Sequence, residues 1–230
     1  MLIEGFKRLS ISSLVLLILF FFACVIQLVF AFSEKEKYRR IEKPLCLALL
    51  TAFAVVTLPN HPFIYIATFM GLLGDIFVIL PNKKFFYLGA FTFFLGFVFY
   101  ALEGLIVLMD KAVPLYMILV IVATYLVMFF TLAFFIGSRI TSKRFDSIGI
   151  GLYLAPLITM LPIMVFLTAK GGGVMYLALI GIIFFMSSDF TITYTKFVKK
   201  FKRYDFYIML TYLIGQVLIV LGFSLTYLVR

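Results

Sequence analysis

Two acidic side chains in this chain stand where acids are costly. Of its ten acidic residues, Glu4, Glu34, Glu36, Glu42, Asp110, Asp146 and Asp205 fall in polar connectors or at the edges of apolar runs. Glu103 lies in the last third of an apolar run, within snorkelling reach of the nearer interface. Asp75 and Asp189 are embedded in apolar sequence, where an Asp at mid-depth of a bilayer costs ~2.5–3.5 kcal/mol. Asp75 comes six residues before Pro81 and Asp189 seven before Lys196. At the helical rise this puts both ~9–10 Å below one interface. Two carboxyls brought together in a low dielectric do not ionise independently, so the pair supplies an acid and a base at neutral pH. That arrangement serves the hydrolysis of acetals and glycosides. The alternative is that each is a helix-packing group bonded to a neighbouring hydroxyl or Lys.

Other polar residues in apolar runs can complete such a site. Tyr100, Tyr153, Ser188, Tyr212 and Gln216 can bond a carboxylate or a lipid head group, and each is also a plausible interface anchor or interhelical bond. Lys43, at the edge of an apolar run, can pair with a phosphate. Other chemistries lack their residues: there is no G-x-S-x-G elbow, no H-E-x-x-H helix and no Cys–His pair. Cys24 and Cys46 lie in apolar stretches without metal-binding spacing and read as small hydrophobes. His61, the only histidine, sits between Pro59 and Pro62 in a tight turn and reads as a boundary residue. Neither a metal nor a cofactor is predicted.

The elements that must position these groups are membrane helices. The chain is 65% hydrophobic and 13% charged, with a mean hydropathy of +1.20. That is more apolar surface than one soluble core can hide. Runs long enough to cross ~30 Å of hydrocarbon predict an all-α polytopic membrane bundle of about eight transmembrane helices in a single transmembrane domain. The spans are roughly 9–32, 44–59, 62–80, 86–108, 114–136, 147–168, 173–193 and 206–228, with a possible re-entrant hairpin at the second and third. The first follows Lys7 and Arg8 as a signal peptide would, but its length and lack of a cleavage site predict a retained helix. Pro44, Pro59, Pro62, Pro81 and Pro114 sit at span edges, whereas Pro156 and Pro162 predict a kink in the sixth span. Gly171-Gly172-Gly173 reads as a tight turn.

The net charge of +10 does not mark a nucleic-acid partner, because the bases lie in short connectors. Fifteen of the twenty Lys and Arg fall in connectors 35–43, 83–84, 139–144 and 196–203, all on one side. The positive-inside rule puts that side in the cytoplasm and both termini outside. The two acids would then sit near, and open toward, the cytoplasmic face of a cell membrane.

At these residues the sequence resembles the YhhN family of integral-membrane lysoplasmalogenases. Lys43-Pro44 is similar to the family's basic-Pro pair, and Gly74-Asp75 with Phe77 and Leu80 to its G-D block. Gly89, Phe93 and Tyr100 fall on a G-x-x-x-F…Y pattern. Ser188-Asp189 through Lys196-Phe197 resembles its S-D block, and Tyr212 with Gln216 its Y-x-x-x-Q. One departure is Phe97, where the family commonly has a His. If that His assists protonation in other members, activity or substrate range is in question here. The resemblance implies hydrolysis of the vinyl ether of a lysoplasmalogen to a fatty aldehyde and a glycerophospho-ethanolamine or -choline. Asp75 and Asp189 would be the acid/base pair, with Lys43, Tyr100, Ser188, Tyr212 and Gln216 binding substrate. The expected partners are the lysophospholipid and membrane lipids. Two other readings stay open: a proton-coupled transporter, since paired intramembrane carboxylates also serve as relays, and a non-catalytic lipid-binding protein.

Overall fold

The computed structural model describes residues 2–34, 36–109, 160–170, 174–197 and 199–229, with isolated positions between 118 and 130. The helices are α1 (Leu2–Lys7), α2 (Ile11–Phe32), α3 (Glu36–Thr57), α4 (Pro62–Ile79) and α5 (Lys83–Met109). They continue with α6 (Met160–Ala169), α7 (Tyr176–Phe197) and α8 (Tyr204–Val229). No strand occurs among the described residues, as the sequence predicts.

Among the described residues, four helical stretches are long and apolar enough to cross a membrane: Ile11–Phe32, Pro62–Ile79, Tyr87–Leu108 and Tyr204–Val229. The protein is thus a multi-pass membrane protein. α3 and α7 are also 22 residues long, about 33 Å at the helical rise. α3 opens on a charged turn, and α7 contains Asp189 and Lys196. Of the expected span 114–136 only isolated positions are described, Tyr153, Pro156 and Gly171-Gly172-Gly173 lie outside the described residues, and span 147–168 is described only from Met160.

Local sequence explains the helix boundaries. Ser10 caps α2, its hydroxyl accepting the Ser13 N–H at 3.1 Å, which satisfies one of the free donors of the first turn. Pro62 occupies the first turn of α4, where its missing N–H costs nothing. The α4–α5 turn is fixed by Asn82, whose side-chain oxygen accepts from Lys84 N–H at 3.0 Å. Pro44 differs from expectation. It marks the edge of the apolar run, but the helix begins eight residues earlier and runs through it. Glu, Lys and Arg are strong helix formers, so α3 continues as a polar helix beyond the apolar layer.

Consecutive helices pack as antiparallel neighbours, α2 with α3, α4 with α5 and α7 with α8, and α8 also touches α1, α2, α3 and α4. α8 is accordingly the most enclosed of the described helices, whereas α2 presents Ile11, Ile18 and Phe22 outward, as a lipid-facing helix would. The α7–α8 seam is unusually close. A Cβ on Gly215 would lie 2.9 Å from the Gly181 carbonyl oxygen, and one on Gly181 would lie 2.8 Å from the Gly215 oxygen. Small residues at such positions let two backbones touch, which supplies packing where apolar burial drives nothing. This alternation gathers the start of α3, the end of α4, the start of α5, the end of α7 and the start of α8 at the Lys- and Arg-rich end.

Candidate active site

Asp75 sits on the last turns of α4 and is fully buried. The Lys43 ammonium, from the polar part of α3, lies 2.8 Å from its Oδ1. The Tyr212 hydroxyl, from α8, donates to its Oδ2 at 2.9 Å. Lys43 also lies 5.1 Å from the centre of the Tyr212 ring, within reach of a cation–π attraction. Three helices thus meet at one carboxylate, and each supplies a group with a defined duty toward it. The Lys43 side chain is 15% exposed, so the site lies just beneath the polar end of the bundle.

The glycines of the sequence blocks have a steric reason. A Cβ on Gly74 would lie 2.8 Å from the Phe93 ring, so only glycine beside Asp75 lets that ring approach. A Cβ on Gly89 would lie 2.7 Å from Val78 Cγ2 and 3.1 Å from the Gly74 carbonyl oxygen. Gly89 and Phe93, one turn apart on α5, therefore hold α4 close and put an aromatic wall beside the acid. Phe93 meets the Tyr212 ring edge-on at 6.2 Å between centres.

Gln216 follows Tyr212 by one turn on α8, so the two share a face. Its Oε1 accepts the Tyr100 hydroxyl at 3.3 Å, and its Nε2 would lie 3.4 Å from a Cβ on Gly71. Tyr100 and Gln216 form a second, deeper polar pair joining α5 to α8 above the same α4 surface. Ser188 donates to the Ile208 carbonyl oxygen at 3.1 Å and so pins α7 to α8.

Asp189 is buried, 4% exposed. It follows Phe185 by one helical turn and shares its face. The Phe185 ring packs edge-on against Tyr212 at 5.3 Å and against Phe97 at 4.6 Å. Lys43, Asp75 and Tyr212 are thus in direct contact, and Asp189 lies on the face of α7 that meets the Tyr212 helix. Phe97, at the position of the expected His, is 2% exposed and serves as an aromatic wedge between α5 and α7. Cys24 and Cys46 are buried and free, and their thiols face each other across α2 and α3.

A second polar cluster lies at the opposite end of the bundle. Buried Glu103 receives the Tyr227 hydroxyl at 2.5 Å and lies 2.9 Å from His61 Nδ1. The His61 and Tyr227 rings stack with centres 3.6 Å apart. His61 stands at the N-cap of α4, a helix boundary as the sequence predicts, and Glu103 is buried within the bundle. Their joining through Tyr227 had no local signal, since Glu103 is 42 residues from His61 and 124 from Tyr227.

The helices and this site define a multi-pass helical membrane protein with a buried, ion-paired carboxylate beneath its basic end. The chain belongs to the YhhN family, whose family model matches residues 38–223. At family level it is a lysoplasmalogenase-like membrane protein. Lys43, Asp75, Tyr100, Asp189, Tyr212 and Gln216 all fall within the matched region. No curated protein and no solved structure matches the chain.

Proposed function

We propose that the protein hydrolyses the vinyl ether of lysoplasmalogens, with Asp75 and Asp189 as its acid/base pair and the site opening toward the cytoplasm. The observation that carries this reading is a fully buried Asp75 held between the Lys43 ammonium at 2.8 Å and the Tyr212 hydroxyl at 2.9 Å. A buried carboxylate fixed by donors from two other helices is preorganised for charge that develops nearby. Both contacts donate to Asp75 and so favour its ionised form, the form a general base must start from. Asp189 is then the acid.

In this scheme Asp189 transfers its proton to the vinyl carbon remote from the ether oxygen. The carbon bonded to that oxygen becomes the centre of an oxocarbenium ion. Water attacks that carbon and its proton passes to Asp75. As the hemiacetal C–O bond breaks, Asp75 returns its proton to the glycerol oxygen and Asp189 takes the hemiacetal hydroxyl proton. This releases the fatty aldehyde and the glycerol hydroxyl of the glycerophospho-ethanolamine or -choline and restores both carboxyls. One water is consumed, and no electron is gained or lost overall. Lys43 keeps the carboxylate in place, while Tyr100 and Gln216 line the deeper side next to the lipid chain.

Asp75→Asn and Asp189→Asn should each abolish aldehyde release from lysoplasmalogen by purified protein, read with a coupled aldehyde dehydrogenase. In deuterium oxide the product should carry one deuterium on the carbon next to the aldehyde. Normal turnover in either variant removes that residue from the pair, and lipid flux without aldehyde would make the protein a carrier.

A further inference from the structure

Gln27 is fully buried on α2 and lies outside the family-matched region. Its amide donates to the Met209 thioether at 3.4 Å. Its carbonyl oxygen has no hydrogen-bond partner among the described residues. A buried acceptor left unpaired keeps its full desolvation penalty, so in an apolar bundle it calls for a donor that arrives from elsewhere.

Position connects this acceptor to the Asp75 site. Met209 precedes Tyr212 by three residues on α8, so the two are neighbours on one face. Along the antiparallel α2–α3 pair, Ser13 meets Thr57 at 2.9 Å and Cys24 meets Cys46. Both contacts obey one register, and continuing it by three residues sets Gln27 opposite Lys43. Depth agrees as well. Gln27 lies six residues before the α2 C-cap at Ser33, and Asp75 five before the α4 C-cap at Leu80. Both are therefore about 8 Å below the same end of the bundle.

We infer that Gln27 is a specificity-determining residue whose carbonyl oxygen accepts a hydrogen bond from the free sn-2 hydroxyl of the lysolipid. The inference rests on the proposed hydrolysis. With the vinyl ether at Asp75, the sn-2 hydroxyl is the substrate donor nearest the ether oxygen. The head-group ammonium belongs at the polar surface, not at this depth. A diradyl lipid carries an ester in place of that hydroxyl and would leave Gln27 unpaired, so the same contact selects the lyso form. Sites built to bond a substrate hydroxyl reject analogues that lack it for this reason.

The test compares lysolipids with their 2-deoxy counterparts, which lack the donor without added bulk. Two readouts are needed: kcat/KM with vinyl-ether pairs, and binding of saturated sn-1 ether pairs, which cannot be hydrolysed. Wild type should prefer the hydroxyl form by about 10-fold to 100-fold in both. Gln27→Leu should lose most of that preference, chiefly by weakening the hydroxyl form, and should melt no earlier than wild type. Gln27→Met serves as a second replacement, unbranched where Leu is branched. Equal handling of both forms by wild type would overturn the inference, Gln27 then holding a resident water. A preference retained in both variants, or an equal loss on both lipids, would overturn it too. If saturated lipids show the preference and its loss while no aldehyde forms, hydrolysis fails and the hydroxyl site stands.

Discussion

At the scale of single residues, the question is what Lys43 does. The sequence suggests a phosphate partner, whereas the structure seats its ammonium on Asp75. Removing one member of a buried ion pair costs about 3–5 kcal/mol, because the other charge is left stranded. Lys43→Met should therefore lower both melting temperature and kcat. The double variant Lys43→Met with Asp75→Asn should recover most of the stability and none of the activity. A raised KM with unchanged kcat and stability would return Lys43 to the phosphate, since that pattern marks uniform substrate binding. Tyr212→Phe removes only a hydroxyl and should cost about 10-fold or more in kcat with little change in KM. Asp75 was legible in the sequence, because an acid in an apolar run is expensive. Its partners were legible only as candidates, since a Lys and a Tyr on other helices give no distance. Gln27 was not legible at all: a lone Gln in an apolar run looks like helix glue until its oxygen is found unpaired.

At the scale of helices, the glycine seam between α7 and α8 sets where Asp189 stands. A methyl at Gly215 would meet the Phe185 backbone nitrogen at 2.9 Å, and backbone cannot swing aside as a side-chain tip can. Gly215→Ala should push α7 off α8 and carry Phe185 and Asp189 away from Tyr212. Such overpacking costs about 1–3 kcal/mol. Gly104 offers the matched control, for a methyl there would meet Ile163 Cγ2 at 2.9 Å at the far end of the bundle. Gly104→Ala should lower the melting temperature while leaving kcat intact, whereas Gly215→Ala should lower both. Equal kcat in the two variants would mean that α7 does not position a reacting group. The described helices were legible from the length of apolar runs, including the Pro59–Pro62 turn. The extension of α3 past Pro44 was not, because hydropathy reports the apolar layer and ignores the charged turns that continue a helix beyond it.

At the scale of the whole molecule, the +10 charge and the site's position bear on one property, the direction in which the site opens. The basic connectors 35–43, 83–84 and 196–203 flank the ends of the same helices that carry Lys43, Asp75, Asp189 and Tyr212. The His61–Glu103–Tyr227 cluster closes the other end, where connectors are poor in Lys and Arg. Insertion keeps Lys- and Arg-rich loops in the cytoplasm, so Asp75 would face a cytosolic supply of lysolipid. Two exposed turn residues test this, Asn82 at the site end and Asn60 at the opposite end. The native Cys24 and Cys46 are buried, so an impermeant maleimide should read only a thiol introduced at a turn. In intact cells Asn60→Cys should label and Asn82→Cys should not; in inverted vesicles the pattern should reverse. Labelling of Asn82→Cys from outside would turn the bundle over and place hydrolysis on the outer leaflet. The chemistry proposed for Asp75 and Asp189 would be unchanged, because it depends on neighbours within the bundle, but its lipid supply would have to come from the other side.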